Sequence, residues 1–275
     1  MAEDFRLIAF DMDGTLLNSE KRISPVTREA IGRAAQAGKI VILCTGRGLT
    51  ELTEFTRQLP ELRYVNCASG ALVYDVREEK RIYSQPLFPE AVLPILKIAE
   101  KEGAMPHFLA GRHSIVARAD WEHMEDFQMA VYKPMFTRIA EKWEDFYAEY
   151  AETPFPVEKL NLYHETPLSR ARTRQRILEA GYEVALVDSE QTSLEVSAHG
   201  VDKGVGLAAL CEYLGIPLSQ TIAVGDAMND VGALKAAGLA VAMGNALEQI
   251  RELADVTVAD CDHDGCAEAI ERFLL

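Results

Sequence analysis

The chain has 275 residues, 48% apolar and 26% charged, and a net charge of −15 from 28 Lys and Arg against 43 Asp and Glu. That composition belongs to a folded globular chain, and the length accommodates one large domain or two smaller ones. The acidic balance argues against nucleic acid or an anionic membrane surface as partner, since both reward clustered Lys and Arg.

No apolar run reaches the ~18 residues that a membrane span needs. The N-terminal stretch, with Glu3 and Asp4 and no basic region ahead of a long apolar run, does not read as a secretory signal. Cysteines 44, 67, 211, 261 and 266 are odd in number and scattered, which predicts free thiols in a reducing cytoplasm. The CDHDGC segment (261–266) has no second pair of ligands and reads as a chance cluster near a turn.

Taken in chain order, RLIAF (6–10) is a short apolar run suited to a strand buried on both faces. SPVTREAIGRAAQAG follows as a helix, with Ser24 as N-cap, Pro25 at the first helical position and Gly38 as the stop. KIVILCTGR is a second buried strand, TELTEFTRQLP a helix, and YVNCASGALVY further strand with a Gly turn. This βαβα order predicts a parallel sheet with helices on its faces.

Near residue 86 the rhythm changes. FPEAVLPILKIAEKEG predicts a helix, and AMPHFLA with RHSIVARA a hairpin around Gly111. WEHMEDFQMAVY and IAEKWEDFYAEYA are read as helices. Strand, helix, strand and strand then follow over VEKLNLYH, SRARTRQRILEAG, YEVALVD and TSLEVSAH. After AHGVDKG the first rhythm resumes with helix DKGVGLAALCEYLG, strand TIAVGD, short helix AMNDVGALKAAG and strand LAVAM. Helices ALEQIRELA and CAEAIERFLL follow, separated by DVTVAD. The expected fold is α/β, a Rossmann-like parallel-sheet core formed by 1–84 and 199–275. An inserted α+β domain with a mainly antiparallel sheet occupies 85–198.

Ligands of open parallel sheets bind beyond the carboxyl ends of the strands. Four polar clusters fall at strand ends or helix starts: DMDGT (11–15), TGR (45–47), DKG (202–204) and GDAMND (225–230). Each alone reads equally well as a turn, but together they suit phosphoryl transfer. A carboxylate that attacks an anion needs a cation to offset the repulsion, and Mg²⁺ takes oxygen ligands. Asp11 and Asp226 can supply two of them. Lys203 can offset phosphate charge and orient Asp11. Thr45 can hold phosphate oxygens with backbone N–H groups of the next helix start, though helix capping uses the same geometry. Asp13 can serve as acid to the leaving oxygen and then as base for water. Gly14 lets the backbone turn. Neither GxxxxGK[ST] nor GxGxxG occurs.

These motifs resemble the haloacid dehalogenase superfamily of aspartate-nucleophile phosphatases, and within it the Cof-type hydrolases (subclass IIB, with a C2B-type cap). VAMGNALEQIRELAD (241–255) is similar to that group's tail. The resemblance implies Asp11 as nucleophile and Asp13 as acid/base. It implies Thr45, Gly46, Lys203 and Asn229 at the phosphate, and Mg²⁺ on Asp11, Asp13 (through its carbonyl), Asp226 and Asp230. Asp230 serves equally as a capping or structural residue. Where the family usually reads Asn-Gly-Ala, this chain has Ser69-Gly70-Ala71, which puts a substrate contact there in doubt. His107, His113, His123 and His164 are expected to be structural or exposed, and His199, near Lys203, is the histidine of interest. The aromatic residues of the inserted segment are expected to pack.

The expected function is a cytoplasmic, Mg²⁺-dependent phosphatase, a monomer or homodimer. It hydrolyses a small phosphorylated metabolite, such as a sugar phosphate, under a closing cap. A phosphosugar mutase or a non-catalytic metabolite-binding member are the alternatives, and a metal-independent dehalogenase is disfavoured by Asp13 and GDAMND.

Overall fold

The computed structural model describes residues 4–275; Glu3, part of the N-terminal reading, lies outside the described residues. The chain begins with β1 (Leu7–Phe10), four buried apolar residues. In α1 (Pro25–Gln36) the Ser24 hydroxyl accepts the Thr27 N–H and Pro25 occupies the first turn, as expected. β2 (Ile40–Cys44), α2 (Thr53–Gln58), β3 (Tyr64–Cys67), β4 (Leu72–Asp75) and β5 (Lys80–Ser84) follow.

Next come α3 (Pro89–Lys101), β6 (Met105–Ala110), β7 (His113–Ala117), α4 (Arg118–Glu122), α5 (Lys133–Ile139) and β8 (Glu141–Trp143). They lead to α6 (Phe146–Glu152), β9 (Lys159–Tyr163), α7 (Pro167–Glu179), β10 (Val184–Ser189) and β11 (Ser193–Ala198). The last stretch holds α8 (Lys203–Leu214), β12 (Thr221–Gly225), α9 (Val231–Ala236), β13 (Leu239–Ala242), α10 (Glu248–Leu253), β14 (Val256–Thr257) and α11 (Gly265–Ala269).

These elements form two compact units. Among the described residues the first comprises 4–47, Thr53–Ser84 and Asp202–Leu275; the second comprises Gly48–Leu52 and Gln85–Val201. The first unit is an α/β fold around an eight-stranded sheet of order β14-β13-β12-β1-β2-β3-β4-β5. Its strands are parallel from β14 to β3, and β4 and β5 add antiparallel at one edge. Phe10 lies level with Val224 on one side and Leu43 on the other, so β1, β2 and β12 end together. Their next residues are therefore neighbours.

The second unit has a six-stranded sheet, β10-β11-β9-β6-β7-β8, antiparallel except where β8 runs parallel to β7. One apolar cluster joins Leu96, Phe108, Phe146, Tyr150, Leu160 and Val196. A second joins Met105, Met124, Phe127, Phe136 and Tyr163. Trp121 and Tyr132 pack on that second cluster, and Trp143 and Tyr147 on the first, so these aromatics pack as expected.

The helices expected over 121–132 and 139–151 form only in part. α4 ends at Glu122, and Gln128 adopts φ 61, which an α-helix excludes. Met124, Phe127 and Met129 are all buried, a spacing that fits an irregular turn folded onto the second cluster better than one helical face. Residues 141–143 pair as β8 with β7, and α6 starts only after Asp145 caps it through the Ala148 N–H. β14, within DVTVAD, was not anticipated; its two residues are too few to show a period.

Close backbone contacts in the first unit fix α8. Gly70 has φ +99, and an added Cβ would lie 1.8 Å from the Asp202 carbonyl oxygen. Gly70→Ala should cost roughly 1–3 kcal/mol from overpacking, with further loss from the left-handed backbone. Gly32, inside α1 with nothing within 4 Å of its Cβ position, is the control. Gly32→Ala should gain roughly 0.5–1 kcal/mol. Denaturant titration reads both, and equal effects would contradict the packing.

Burial pushes the Asp75 carboxyl up, but the Arg63 guanidinium and the Glu78 and Arg77 N–H groups outweigh it and hold it below the usual carboxylate range. Arg63 donates twice to Asp75 Oδ2, at 2.8 and 2.6 Å. A depressed native pKa gives stability that is present above about pH 4 and lost as pH falls through the lowered value. Asp75→Asn should therefore flatten the fall of Tm on acidification, and an unchanged slope would count against this pair.

Candidate active site

β1 delivers Asp11 one residue past its last paired position, with the Asp11 N–H bonded to the Val224 carbonyl at 3.0 Å. Asp11 is 6% exposed and Lys203 only 1%. Lys203 is the first residue of α8, whose N-cap is Asp202. Its ammonium donates to Asp11 Oδ1 and to Asp230 Oδ1, both at 2.6 Å. Asp230 also accepts the N–H groups of Asp226 (2.9 Å) and Ala227 (3.0 Å) on Oδ2, which closes the turn after β12. Asp226 is held by the Thr15 hydroxyl at 2.9 Å. Gly14 has φ +85, and a Cβ there would meet Asp226 Oδ2 at 2.5 Å, so glycine is needed for the approach.

Asp11, Asp226 and Asp230 each point one carboxylate oxygen into a space where these atoms lie within 4.8 Å of one another. Three carboxylates there face one lysine. This hard, all-oxygen and net negative donor set fits a divalent cation such as Mg²⁺. Burial pushes the Asp11 carboxyl up to about 7 against the pull of Lys203. Burial likewise pushes Asp226 up, opposed by the Thr15 hydroxyl. For Lys203, burial disfavours the charge, but Asp11 and Asp230 outweigh it and raise its pKa.

Asp13 lies in a different environment. Arg47 donates to both its oxygens at 2.8 Å, and Lys21 adds a bond at 2.9 Å. Burial works to raise its pKa, but the Arg47 and Lys21 contacts outweigh this and lower it. Thr45 follows β2 and is buried; its N–H bonds the Asn66 carbonyl at 2.8 Å, and its hydroxyl accepts the Arg47 N–H at 3.2 Å. Gly46 follows directly.

The structure thus joins Asp11, Lys203, Asp226 and Asp230 in one cluster. It sets Asp13, Thr45 and Gly46 at the ends of the adjacent strands β1 and β2. Asn229 is exposed on the turn between Ala227 and Asp230 and forms no part of the Lys203 network. His199 is exposed. His107 and His164 are buried and bonded through both ring nitrogens, to Tyr163 and Ser114 and to Thr192 and Thr173.

Four supporting residues escaped sequence reasoning. Thr15 and Asn245 both lie within segments already singled out, DMDGT and VAMGNALEQIRELAD. Asn245 bonds the Gly14 carbonyl at 2.8 Å and accepts the Cys261 N–H at 3.0 Å. Asn66 donates to the Lys203 carbonyl at 2.8 Å and so ties β3 to α8. Lys21 has no motif to announce it, because its position depends on a loop.

A family model described as haloacid dehalogenase-like hydrolase matches residues 8–270. The chain is 30% identical over 273 residues to a 5-amino-6-(5-phospho-D-ribitylamino)uracil phosphatase of Bacillus subtilis (strain 168), across 99% of this chain and 97% of that protein. It is 27% identical over 279 residues to a pyridoxal phosphate phosphatase of Escherichia coli (strain K12), across 98% and 99%. Among solved structures it is similar to a haloacid dehalogenase-like hydrolase from Bacteroides thetaiotaomicron, with TM-score 0.86, 26% identity and coverage of 98% and 99%. The chain belongs to the haloacid dehalogenase-like hydrolases, in their Cof-type branch.

Proposed function

We propose that this hydrolase is a Mg²⁺-dependent phosphatase of small phosphomonoesters that works through an aspartyl-phosphate on Asp11. The observation that carries the reading is the buried Lys203 ammonium, which fixes Asp11 at 2.6 Å at the end of β1 beside a cluster of acidic oxygens. Relatives named for a phosphoribitylamino-uracil and for pyridoxal phosphate support a small phosphorylated metabolite as substrate. A sugar phosphate is the simplest member of that class. The second unit is assigned the role of cap domain. Among the described residues no helix is long and apolar enough to cross a membrane, and we place the enzyme in the cytoplasm as a monomer or homodimer.

In the first step an Asp11 oxygen forms a bond to phosphorus as the ester P–O bond breaks. The leaving oxygen takes a proton from Asp13. In the second step Asp13 removes a proton from water, the water oxygen bonds phosphorus, and the Asp11–phosphorus bond breaks to release inorganic phosphate. Lys203 orients Asp11, and the Thr45 hydroxyl, the Gly46 N–H and Asn229 serve the phosphate oxygens. Asp11, Asp226, Asp230 and the Asp13 carbonyl would hold Mg²⁺, which supplies charge neutralisation between the nucleophile and the phosphate. Arg47 and Lys21 keep Asp13 ionised here. The reading therefore requires an anionic substrate to draw at least one of these cations away before Asp13 can carry its proton.

Asp11→Asn should reduce phosphate release from a panel of sugar, nucleotide and cofactor phosphates by roughly a thousandfold or more with the fold retained. Appreciable residual turnover would exclude Asp11 as nucleophile. Separately, Mg²⁺ at about a hundredfold excess over its Kd should stabilise the wild type by ~2.7 kcal/mol. Asp226→Asn should lose most of that shift in a thermal melt. A shift that survives the substitution would place the metal elsewhere.

A further inference from the structure

A cleft of about 560 Å³ opens on the first unit between the loop 18–24, the start of α1 and helix α2. That volume suits a small metabolite. Its walls include Lys21, Ile23, Arg28, Phe55 and Gln58. The acidic groups at its rim already have cationic partners: Glu20 pairs with Arg22 at 3.5 Å and Glu54 with Arg57 at 2.8 Å.

Two other cations line the cleft, Arg28 and Lys21. Arg28 is half-buried and donates through Nε to the Ile23 carbonyl at 3.1 Å and through Nη2 to Gln58 Oε1 at 3.0 Å, two neutral oxygens. Its charge meets no carboxylate among the described residues. A guanidinium satisfied only by neutral acceptors at the wall of a cleft is a receptor for phosphate or carboxylate.

The other cation is Lys21, whose ammonium reaches Asp13 at 2.9 Å while its side chain lines the cleft. The loop holds it there deliberately. Lys21 adopts φ 59, its N–H bonds the Asn18 carbonyl at 2.8 Å, and the Asn18 side chain accepts the Glu20 and Arg22 N–H groups. Ser19 is tied to Asp262 at 2.8 Å. Cleft and Asp13 therefore share one lysine.

We propose that this cleft binds a second anionic group, phosphate or carboxylate, of a bis-anionic phosphorylated metabolite. Arg28 anchors that group, and Lys21 is the cation it shares with Asp13. The inference rests on the proposed phosphatase reading, in which Asp13 protonates the leaving oxygen and the rest of the substrate extends from its side. Such a substrate also supplies the anion that draws Lys21 off Asp13.

Direct binding tests this without turnover. In the Asp11→Asn protein, calorimetric titration should show fructose 1,6-bisphosphate binding at least about tenfold more tightly than fructose 1-phosphate. Gln58→Glu on the same background places a carboxylate beside Arg28 at an exposed position, at the loss of the Gln58 Nε2 bond to Glu54 at 2.6 Å, and should bring the two affinities together. Arg28→Gln should do the same, with Arg28→Lys retaining part of the preference. Thermal melts confirm that each variant is folded, and Gln58→Glu decides the matter if loss of Arg28 loosens the loop. Equal affinities in the Asp11→Asn protein, or a bisphosphate preference that survives both Gln58→Glu and Arg28→Gln, would overturn the cleft. Failure of the wild type to hydrolyse any ester would overturn the phosphatase reading and leave this binding result standing on its own.

Discussion

The Lys203 ammonium is the point on which the first unit is organised. An ammonium at 1% exposure is costly unless its charge is met at close range. Asp11 and Asp230 meet it, each at 2.6 Å, from positions 192 and 27 residues away in sequence. This requires the chain, after the second unit, to return α8 to one place. Close packing secures that place. A Cβ on Gly204 would lie 2.3 Å from the Gly232 carbonyl oxygen, and one on Gly206 would lie 2.0 Å from Asn66 Oδ1. Asn66 then binds the carbonyl of Lys203 itself. The glycines of DKGVG thus serve packing, and packing serves the charge.

The same geometry separates two chemically identical groups. Asp11 and Asp13 lie two positions apart, yet burial raises the first to about 7 while Arg47 and Lys21 override burial and lower the second. A strand end accounts for the difference. Asp11 continues the buried line of β1 into the space between β12 and α8, whereas Asp13 lies beyond the turn, where its side chain is 42% exposed and meets loop cations. Division of labour between paired carboxylates needs this kind of environmental contrast. Here the contrast lies within three residues. On the proposed mechanism, the resting contacts of Asp13 with Arg47 and Lys21 would make an anion that reaches those cations part of the chemistry.

Much of this is legible in the amino-acid sequence alone. β1, β2 and β12 are short apolar runs, each followed by a polar cluster, and parallel pairing places such ends together. Ser24, Pro25 and Gly38 announced α1 because capping is local chemistry. The change of rhythm near residue 86 suggested an inserted domain over 85–198; the second compact unit comprises Gln85–Val201 and also Gly48–Leu52, which no local signal marks. The segment 121–132 departs from the expected helix because its apolar positions pack onto Phe136 and Tyr163, partners that a single window cannot reveal, and 141–143 leaves the helix expected over 139–151 to pair with β7. Lys21 was invisible for the same reason: a loop brings it to Asp13, and it carries no spacing of its own, whereas Asn245 lay within a recognised segment but reaches the Gly14 carbonyl across 231 residues of sequence.

The proposed covalent step is open to direct observation. The protein would be mixed with a hydrolysable phosphate ester, quenched in acid within the first turnover, and reduced with borohydride, which converts an aspartyl-phosphate to homoserine. Peptide mass mapping should then find homoserine at position 11 and nowhere else. Homoserine at another aspartate, or none despite phosphate release in the same quench, would contradict Asp11 as the residue that carries the phosphoryl group.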